Sequence, residues 1–206
     1  MSGDDIGPTG LWTKRTVEET QKIYADWAER YDADVAEWGY ATPARIALAL
    51  RQCSANAKKP VLDFGCGTGI SGVALKSVGF DVIDGTDISP EMLEQADARG
   101  IYRQVWKGEP GSLGHIKRGD YSIITATGVV SIGAAPPETL DILVAALGPG
   151  GLLAFSYNDA TLADRAYTDQ LDIAVLAPDI EMVFEEHGHH LPAKNMNSTV
   201  YILQKT

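Results

Sequence analysis

From Val61 onward the chain alternates β-rich runs with helical ones, and this alternation limits the folds open to it more than any other feature. The runs VLDFG, DVIDGTD, YRQVW, YSIITAT and GLLAFSY are interleaved with TGISGVALKSVG, PEMLEQADARG and PPETLDILVAALG. Such a pattern predicts a mainly parallel sheet with helices on both faces. Glycines punctuate it: Gly79 ends the first helix, Gly100 the second, and Gly148-Pro149-Gly150-Gly151 stops the third before its strand. A helical stretch follows around 163–176. The runs IEMVFEEH and STVYILQK then lie close together and predict an antiparallel edge hairpin with a loop between them.

An all-helical prefix precedes the sheet. Thr16 and Glu19 have capping-box spacing, and Ile23, Tyr24, Trp27 and Tyr31 place one apolar, aromatic face on the helix they open. Thr42-Pro43 reads as an N-cap followed by proline at the first helical position. Residues 1–50 are therefore expected to be a helical cap, and 51–206 the main domain of a single structural unit. A chain of 206 residues suffices for one such core without disulfides.

The acidic start MSGDDIG lacks the pattern of a secretory leader, and no apolar run nears the ~20 residues of a membrane span. With two cysteines, Cys53 and Cys66, neither a disulfide nor a metal site is expected, which suits a reducing compartment. A cytoplasmic protein, monomer or homodimer, is the expectation, with no membrane partner. A net charge of −11 opposes a phosphate backbone, so nucleic acid is not expected as a partner.

The stretch VLDFGCGTGISG admits two ligands. Gly67-x-Gly69-x-x-Gly72, with Asp87 twenty residues past its first glycine, has dinucleotide spacing. Overlapping it, Asp63-x-Gly65-x-Gly67-x-Gly69 ends a strand on an acid. A carboxylate roughly 5 Å from a ligand charge, at an effective dielectric of about 20, is worth about 3 kcal/mol. It opposes a pyrophosphate and favours an ammonium or sulfonium. The about 120 residues after Asp87 also leave no room for a separate substrate domain.

At these residues the sequence resembles the class I S-adenosylmethionine-dependent methyltransferases. The motif Asp63-Phe64-Gly65-Cys66-Gly67-Thr68-Gly69 is joined by Asp87-Ile88-Ser89-Pro90-Glu91-Met92-Leu93 at the end of the next strand and by LGPGGLLAF, 147–155. The prefix YADWAERYD with Trp38-Gly39-Tyr40 is similar to the type 11-like small-molecule branch, near the methyltransferases named for the Williams-Beuren region. The resemblance implies a Rossmann-like seven-stranded, mostly parallel sheet with a C-terminal antiparallel hairpin. It also implies S-adenosylmethionine as cofactor, a small-molecule methyl acceptor, and in-line transfer governed by positioning.

The cofactor site that it implies comprises Tyr24, Tyr31, Asp63, Gly65, Cys66, Gly67, Gly69, Asp87, Ile88, Gly108, Glu109 and Thr127. In it Asp63 stands near the methionine amino group, Asp87 on the ribose hydroxyls, Ile88 on the adenine face and Glu109 at the adenine amino group. Tyr24 and Tyr31 close over the cofactor from the cap, though the helical stripe alone makes them core residues equally well.

The chain departs from the family after the fourth strand. It lacks an Asn/Asp-Pro-Pro-aromatic motif, carries Ile132 and Ala134 where similar enzymes often have histidine, and has Ser122 for the usual acid. No catalytic base is assigned, and a cofactor-binding protein without catalysis or a nicotinamide oxidoreductase stays open. Arg30 and Arg45 are equal candidates for the cofactor carboxylate. His187, His189 and His190 read first as a polar hairpin loop. Tyr157, Asn158 and Asp159 are the preferred acceptor-side residues, because ligands bind beyond the carboxyl ends of strands in open sheets.

Overall fold

The structure, a computed structural model, describes residue 11 and residues 13–206. The MSGDDIG segment lies outside the described residues. The elements run α1 (Val17–Glu37), α2 (Thr42–Gln52), β1 (Val61–Phe64), α3 (Ile70–Ser77), β2 (Ile83–Asp87), α4 (Pro90–Ala98) and β3 (Gln104–Lys107). There follow β4 (Ile123–Ala126), α5 (Thr139–Ala146), β5 (Leu152–Asn158), α6 (Asp159–Leu162), α7 (Arg165–Val175), β6 (Ile180–Leu191) and β7 (Met196–Lys205).

The seven strands form one sheet in the order β3-β2-β1-β4-β5-β7-β6. Strands β1 to β5 pair in parallel, and β7 lies antiparallel to both β5 and β6. The fold is the expected Rossmann-like one with its antiparallel C-terminal hairpin. The strand order reverses between β1 and β4, which opens a crevice at the carboxyl ends of these parallel strands.

Alternation along the central strands divides the core in two. Leu62, Ile124, Leu153 and Phe155 pack under α5 and α7 with Leu140, Leu143 and Leu171. Val61, Ile83, Ile123 and Ala154 pack on the other face with Ile46 and Leu50 of α2 and Leu75 of α3. Both faces of β1, β4 and β5 are covered, which is why these strands read as continuous apolar runs. Helix α2 thus belongs to the layer flanking the sheet, whereas α1 lies over the strand ends.

The capping box of α1 forms as expected: Thr16 Oγ1 accepts the Glu19 N–H at 3.2 Å, and Glu19 accepts the Thr16 N–H at 2.8 Å. Two local expectations change. Thr42 is the first residue of α2 rather than its cap, and its fully buried hydroxyl bonds His190 and Ser198 instead of the helix end. The histidine-bearing run is not a loop: His187, His189 and His190 all lie within β6, and the turn falls at 192–195. The polar sequence EEHGHH still pairs along β7, whose buried residues fix the register.

Helix α1 is fastened to the main domain at both ends. Gln21 Nε2 donates to the Ile88 carbonyl at 3.2 Å, and Thr20 Oγ1 to the Gly133 carbonyl at 3.2 Å. Asp32 accepts from Thr68 Oγ1 at 2.5 Å and pairs with Arg99. Since this pair is partly exposed, Asp32→Ala should cost at most about 1 kcal/mol of stability. Urea unfolding of wild type and variant measures this.

Candidate cofactor and acceptor site

A cavity lies between α1 and the carboxyl ends of β1, β2 and β4. Tyr24, Tyr31, Gly65, Gly67, Asp87, Ile88, Gly108, Glu109 and Thr127 all line it. The glycine turn is shaped for close approach. Gly65 has φ +66°, and a Cβ there would stand 2.4 Å from Val129 Cγ2, while a Cβ on Gly67, φ +54°, would project into open space. Only a residue without a side chain gives both the left-handed backbone and the room.

Asp87 closes the turn. Its Oδ2 accepts the Gly67 N–H at 2.8 Å and its Oδ1 the Ser89 N–H at 2.9 Å, which fixes the carboxylate at the cavity wall. Burial raises its pKa, against these two backbone donors. Ser89 then caps α4, its hydroxyl accepting the Met92 N–H. Two further hydroxyls on the wall, Thr86 Oγ1 and Thr127 Oγ1, are buried without a hydrogen-bond partner among the described residues. Buried polar atoms of this kind call for a ligand, since leaving one unpaired costs roughly 1–3 kcal/mol.

Three of the expected cofactor residues stay off the cavity wall. Asp63 is fully buried and accepts hydrogen bonds from Ser71 Oγ at 2.6 Å, Tyr102 Oη at 2.8 Å and Thr125 Oγ1 at 2.9 Å. Burial still raises its pKa, and its role is to tie α3, β4 and the loop before β3 to the end of β1. Cys66 packs on Leu93 and Ala96 of α4. Gly69 caps α3 against Arg99 and Tyr102, and a Cβ on Gly72 would meet Tyr102 Oη at 2.4 Å. The second and third glycines of the dinucleotide spacing therefore admit a tyrosine ring of the chain itself, and only Gly67 of the three lines the cavity.

Neither proposed cation reaches the cavity. Arg45 bonds Glu186 and the Ser198 and His189 carbonyls at the sheet edge, and Arg30 is exposed. Sequence reasoning passed over Tyr40, Thr86 and Met92 as site residues. Thr86 could have been found from its place one residue before Asp87, and Tyr40 from the Trp38-Gly39-Tyr40 motif after α1, which by itself does not say that its ring lines the cavity.

Beyond Tyr24, Tyr31, Tyr40 and Gly128 the cavity continues into a second chamber, lined also by Trp27, Trp38, Ser131, Ile132, Asn158 and His190. Of the acceptor-side candidates, only Asn158 lies here. Tyr157 points into the core among Phe155, Tyr167 and Tyr201, and Asp159 accepts the Asn197 N–H. His190 reaches the chamber through a bulge: register shifts between His189 and Leu191, so two successive side chains turn inward.

Burial, aided by Arg45 and opposed by Asp159, lowers the His190 pKa to about 4. Its unfolded value lies near 6.5, so acid protonates the unfolded chain first and stability falls as pH drops from about 6.5 to about 4, by about 3 kcal/mol in all. Asp63 and Asp87, with raised pKa values, favour folding as pH falls and act oppositely. The measurement is therefore the difference between wild type and His190→Gln in unfolding free energy at pH 7 and pH 4.5, which should widen in the variant's favour at low pH.

A methyltransferase domain family model matches residues 36–200, most of the chain. The chain belongs to the class I S-adenosylmethionine-dependent methyltransferase family. Human methyltransferase-like protein 27 is 33% identical over 137 residues, covering 64% of this chain and 54% of that protein. Ribosomal protein L11 methyltransferase of Paraburkholderia xenovorans is 29% identical over 137 residues, 64% of this chain and 43% of that protein. The chain thus spans about half the length of these curated relatives or less. Among solved structures the [4+2]-cyclase SpnF superposes with a TM-score of 0.69 at 13% identity, covering 95% of this chain and 98% of that one. A methyltransferase from Thiobacillus denitrificans in complex with S-adenosylhomocysteine gives 0.57 at 16% identity, covering 80% and 91%. These two likenesses show the fold.

The wall residues suit the family's cofactor. Asp87 presents a carboxylate for a pair of hydroxyls, Gly67 leaves space where a Cβ would stand, and Thr86 and Thr127 supply unspent hydroxyls. Among the described residues no helix is long and apolar enough to cross a membrane, no metal-binding cluster occurs, and both cysteines are free.

Proposed function

We propose that the protein methylates a small molecule, with S-adenosylmethionine as donor, and that positioning dominates its mechanism. The observation that carries this reading is the Asp87 carboxylate, fixed by the Gly67 and Ser89 amides beside two unpartnered threonine hydroxyls at the cavity wall. Bound there, the cofactor supplies an electrophilic methyl group on a sulfonium. Asp87 and Gly67 would hold its ribose end, Ile88, Met92 and Glu109 would flank its base, and α1 would cover it with Tyr24 and Tyr31, all of which line the cavity. Burial raises the pKa values of both tyrosines, which keeps them neutral and protonated.

In transfer of that methyl group, the carbon–sulfur pair would leave with sulfur, and the chain's own part would be to exclude water and hold the acceptor in line. The roof formed by α1 supports a small acceptor, because Tyr24, Tyr31 and Tyr40 line both the cavity and the second chamber beside it. A nicotinamide cofactor is disfavoured by Gly69 and Gly72, whose space is taken by Arg99 and Tyr102. Incubating the protein with S-adenosylmethionine and pooled neutral metabolites should release S-adenosylhomocysteine with at least one pool. Cofactor binding with no turnover across a broad set would favour a binding protein without catalysis.

A further inference from the structure

The second chamber has a polar wall made of donors, and this follows from the hydrogen-bond chain behind it. Arg45 donates to Ser198 Oγ at 3.1 Å; Ser198 Oγ lies 2.9 Å from Thr42 Oγ1, which lies 2.8 Å from His190 Nδ1. Arg45 cannot accept, so the chain has a direction. Every hydroxyl hydrogen finds an acceptor only if Ser198 donates to Thr42 and Thr42 donates to Nδ1. In the opposite sense, the Ser198 hydrogen would have no acceptor among the described residues. Nδ1 is therefore the acceptor, and the ring proton sits on Nε2.

His190 Nε2 makes no hydrogen bond among the described residues, where the ring bonds through Nδ1 alone, and the residue is 7% exposed. The ring stands edge-on to Tyr40 at 5.2 Å. Asn158, 6% exposed, is fixed in the same way: its Oδ1 accepts the Thr161 amide and hydroxyl hydrogens, both at 2.9 Å, which leaves its NH2 as an unspent donor. Ser131 Oγ donates its hydrogen to the Gly128 carbonyl. No lysine, arginine or carboxylate lines the chamber among the described residues, and Trp27, Trp38, Val35, Ile132 and Leu191 supply its apolar part. Donors without a cation select an uncharged oxygen acceptor over a carboxylate or phosphate.

Resting on the methyl-transfer reading, we propose that the second chamber holds the methyl acceptor and that this acceptor is a small neutral molecule with a carbonyl oxygen bound by His190 Nε2–H and Asn158. His190 is then a specificity and positioning residue rather than a general base, since the nitrogen that faces the chamber already carries its proton. Asp159 and Arg45 are the charged groups that act on the ring, and Tyr40 and Thr42 are its neutral neighbours.

The test uses 15N-labelled full-length protein saturated with S-adenosylhomocysteine, with acetophenone as the probe and ethylbenzene as its match without the oxygen. Long-range 1H–15N correlation at pH 7 should show His190 as the Nε2–H tautomer, and Thr42→Val should produce a mixture of tautomers. Acetophenone should shift His190 Nε2 and the Asn158 side-chain amide and bind about fivefold more tightly than ethylbenzene, the weight of one hydrogen bond. That preference should fall in His190→Phe, where Asn158 alone still donates, and return in part in His190→Gln, whose amide also donates. A wild-type Nδ1–H tautomer, no acetophenone binding, or equal affinity for the two probes would overturn the proposal. Shifts of the Gly67 and Asp87 amides on adding S-adenosylhomocysteine report separately on the cofactor reading, so failure of either is read independently.

Discussion

Asp87→Ala should weaken S-adenosylhomocysteine binding about 100-fold, with unfolding still cooperative. The carboxylate would be lost as the partner of two ligand hydroxyls and as the clamp on the Gly67 amide, so the turn loses its shape together with its charge. Charge-assisted hydrogen bonds contribute roughly 1.5–3 kcal/mol each, and 100-fold is about 2.7 kcal/mol. Asp87→Asn separates the two roles: its Oδ1 can still accept one backbone N–H, so an intermediate loss is expected. Titration calorimetry on the three proteins measures this. Equal affinity in wild type and Asp87→Ala would place the cofactor elsewhere.

The second large effect is on stability. Gly65→Ala places a methyl group 2.4 Å from Val129 Cγ2 and 2.9 Å from Cγ1, at a φ of +66°. The left-handed backbone costs roughly 1–2 kcal/mol and the overpacking roughly 1–3 kcal/mol. A loss of about 3 kcal/mol should lower the melting temperature by roughly 6–12 °C for a chain of this size. Adding Val129→Ala should relieve the steric share and leave the backbone share, which a double-mutant cycle resolves. Gly79→Ala is the control, since φ there is +96° but a Cβ meets nothing within 4 Å. If Gly65→Ala melts no lower than Gly79→Ala, the tight packing of the turn against Val129 is refuted.

The parts legible in the sequence were those whose signals are local. The glycine turn, the acid ending β2, the capping box of α1 and the glycines closing α3 and α4 each announce themselves within a few residues. What depended on distant partners was not legible. Asp63 reads as a ligand carboxylate until Ser71, Tyr102 and Thr125 arrive from three other elements to claim it. Thr42 looks like a cap because nothing nearby shows that Ser198 and His190 will take its hydroxyl. The run EEHGHH has the polarity of a turn, and only its register on β7, with the bulge at His190, turns it into a strand that delivers an imidazole to the chamber. Tyr40 owes its place in the wall to the packing of α1 over the strand ends.

A calorimetric titration of the wild-type protein with S-adenosylhomocysteine and, in parallel, with NAD decides whether the cavity beneath α1 is an S-adenosylmethionine site. One S-adenosylhomocysteine should bind per chain with a dissociation constant on the order of micromolar, about −8 kcal/mol, and NAD at millimolar concentration should give no heat of binding. Saturation by NAD with silence from S-adenosylhomocysteine would contradict that assignment, and would mean that Arg99 and Tyr102 vacate the space beside Gly69 and Gly72 for a pyrophosphate.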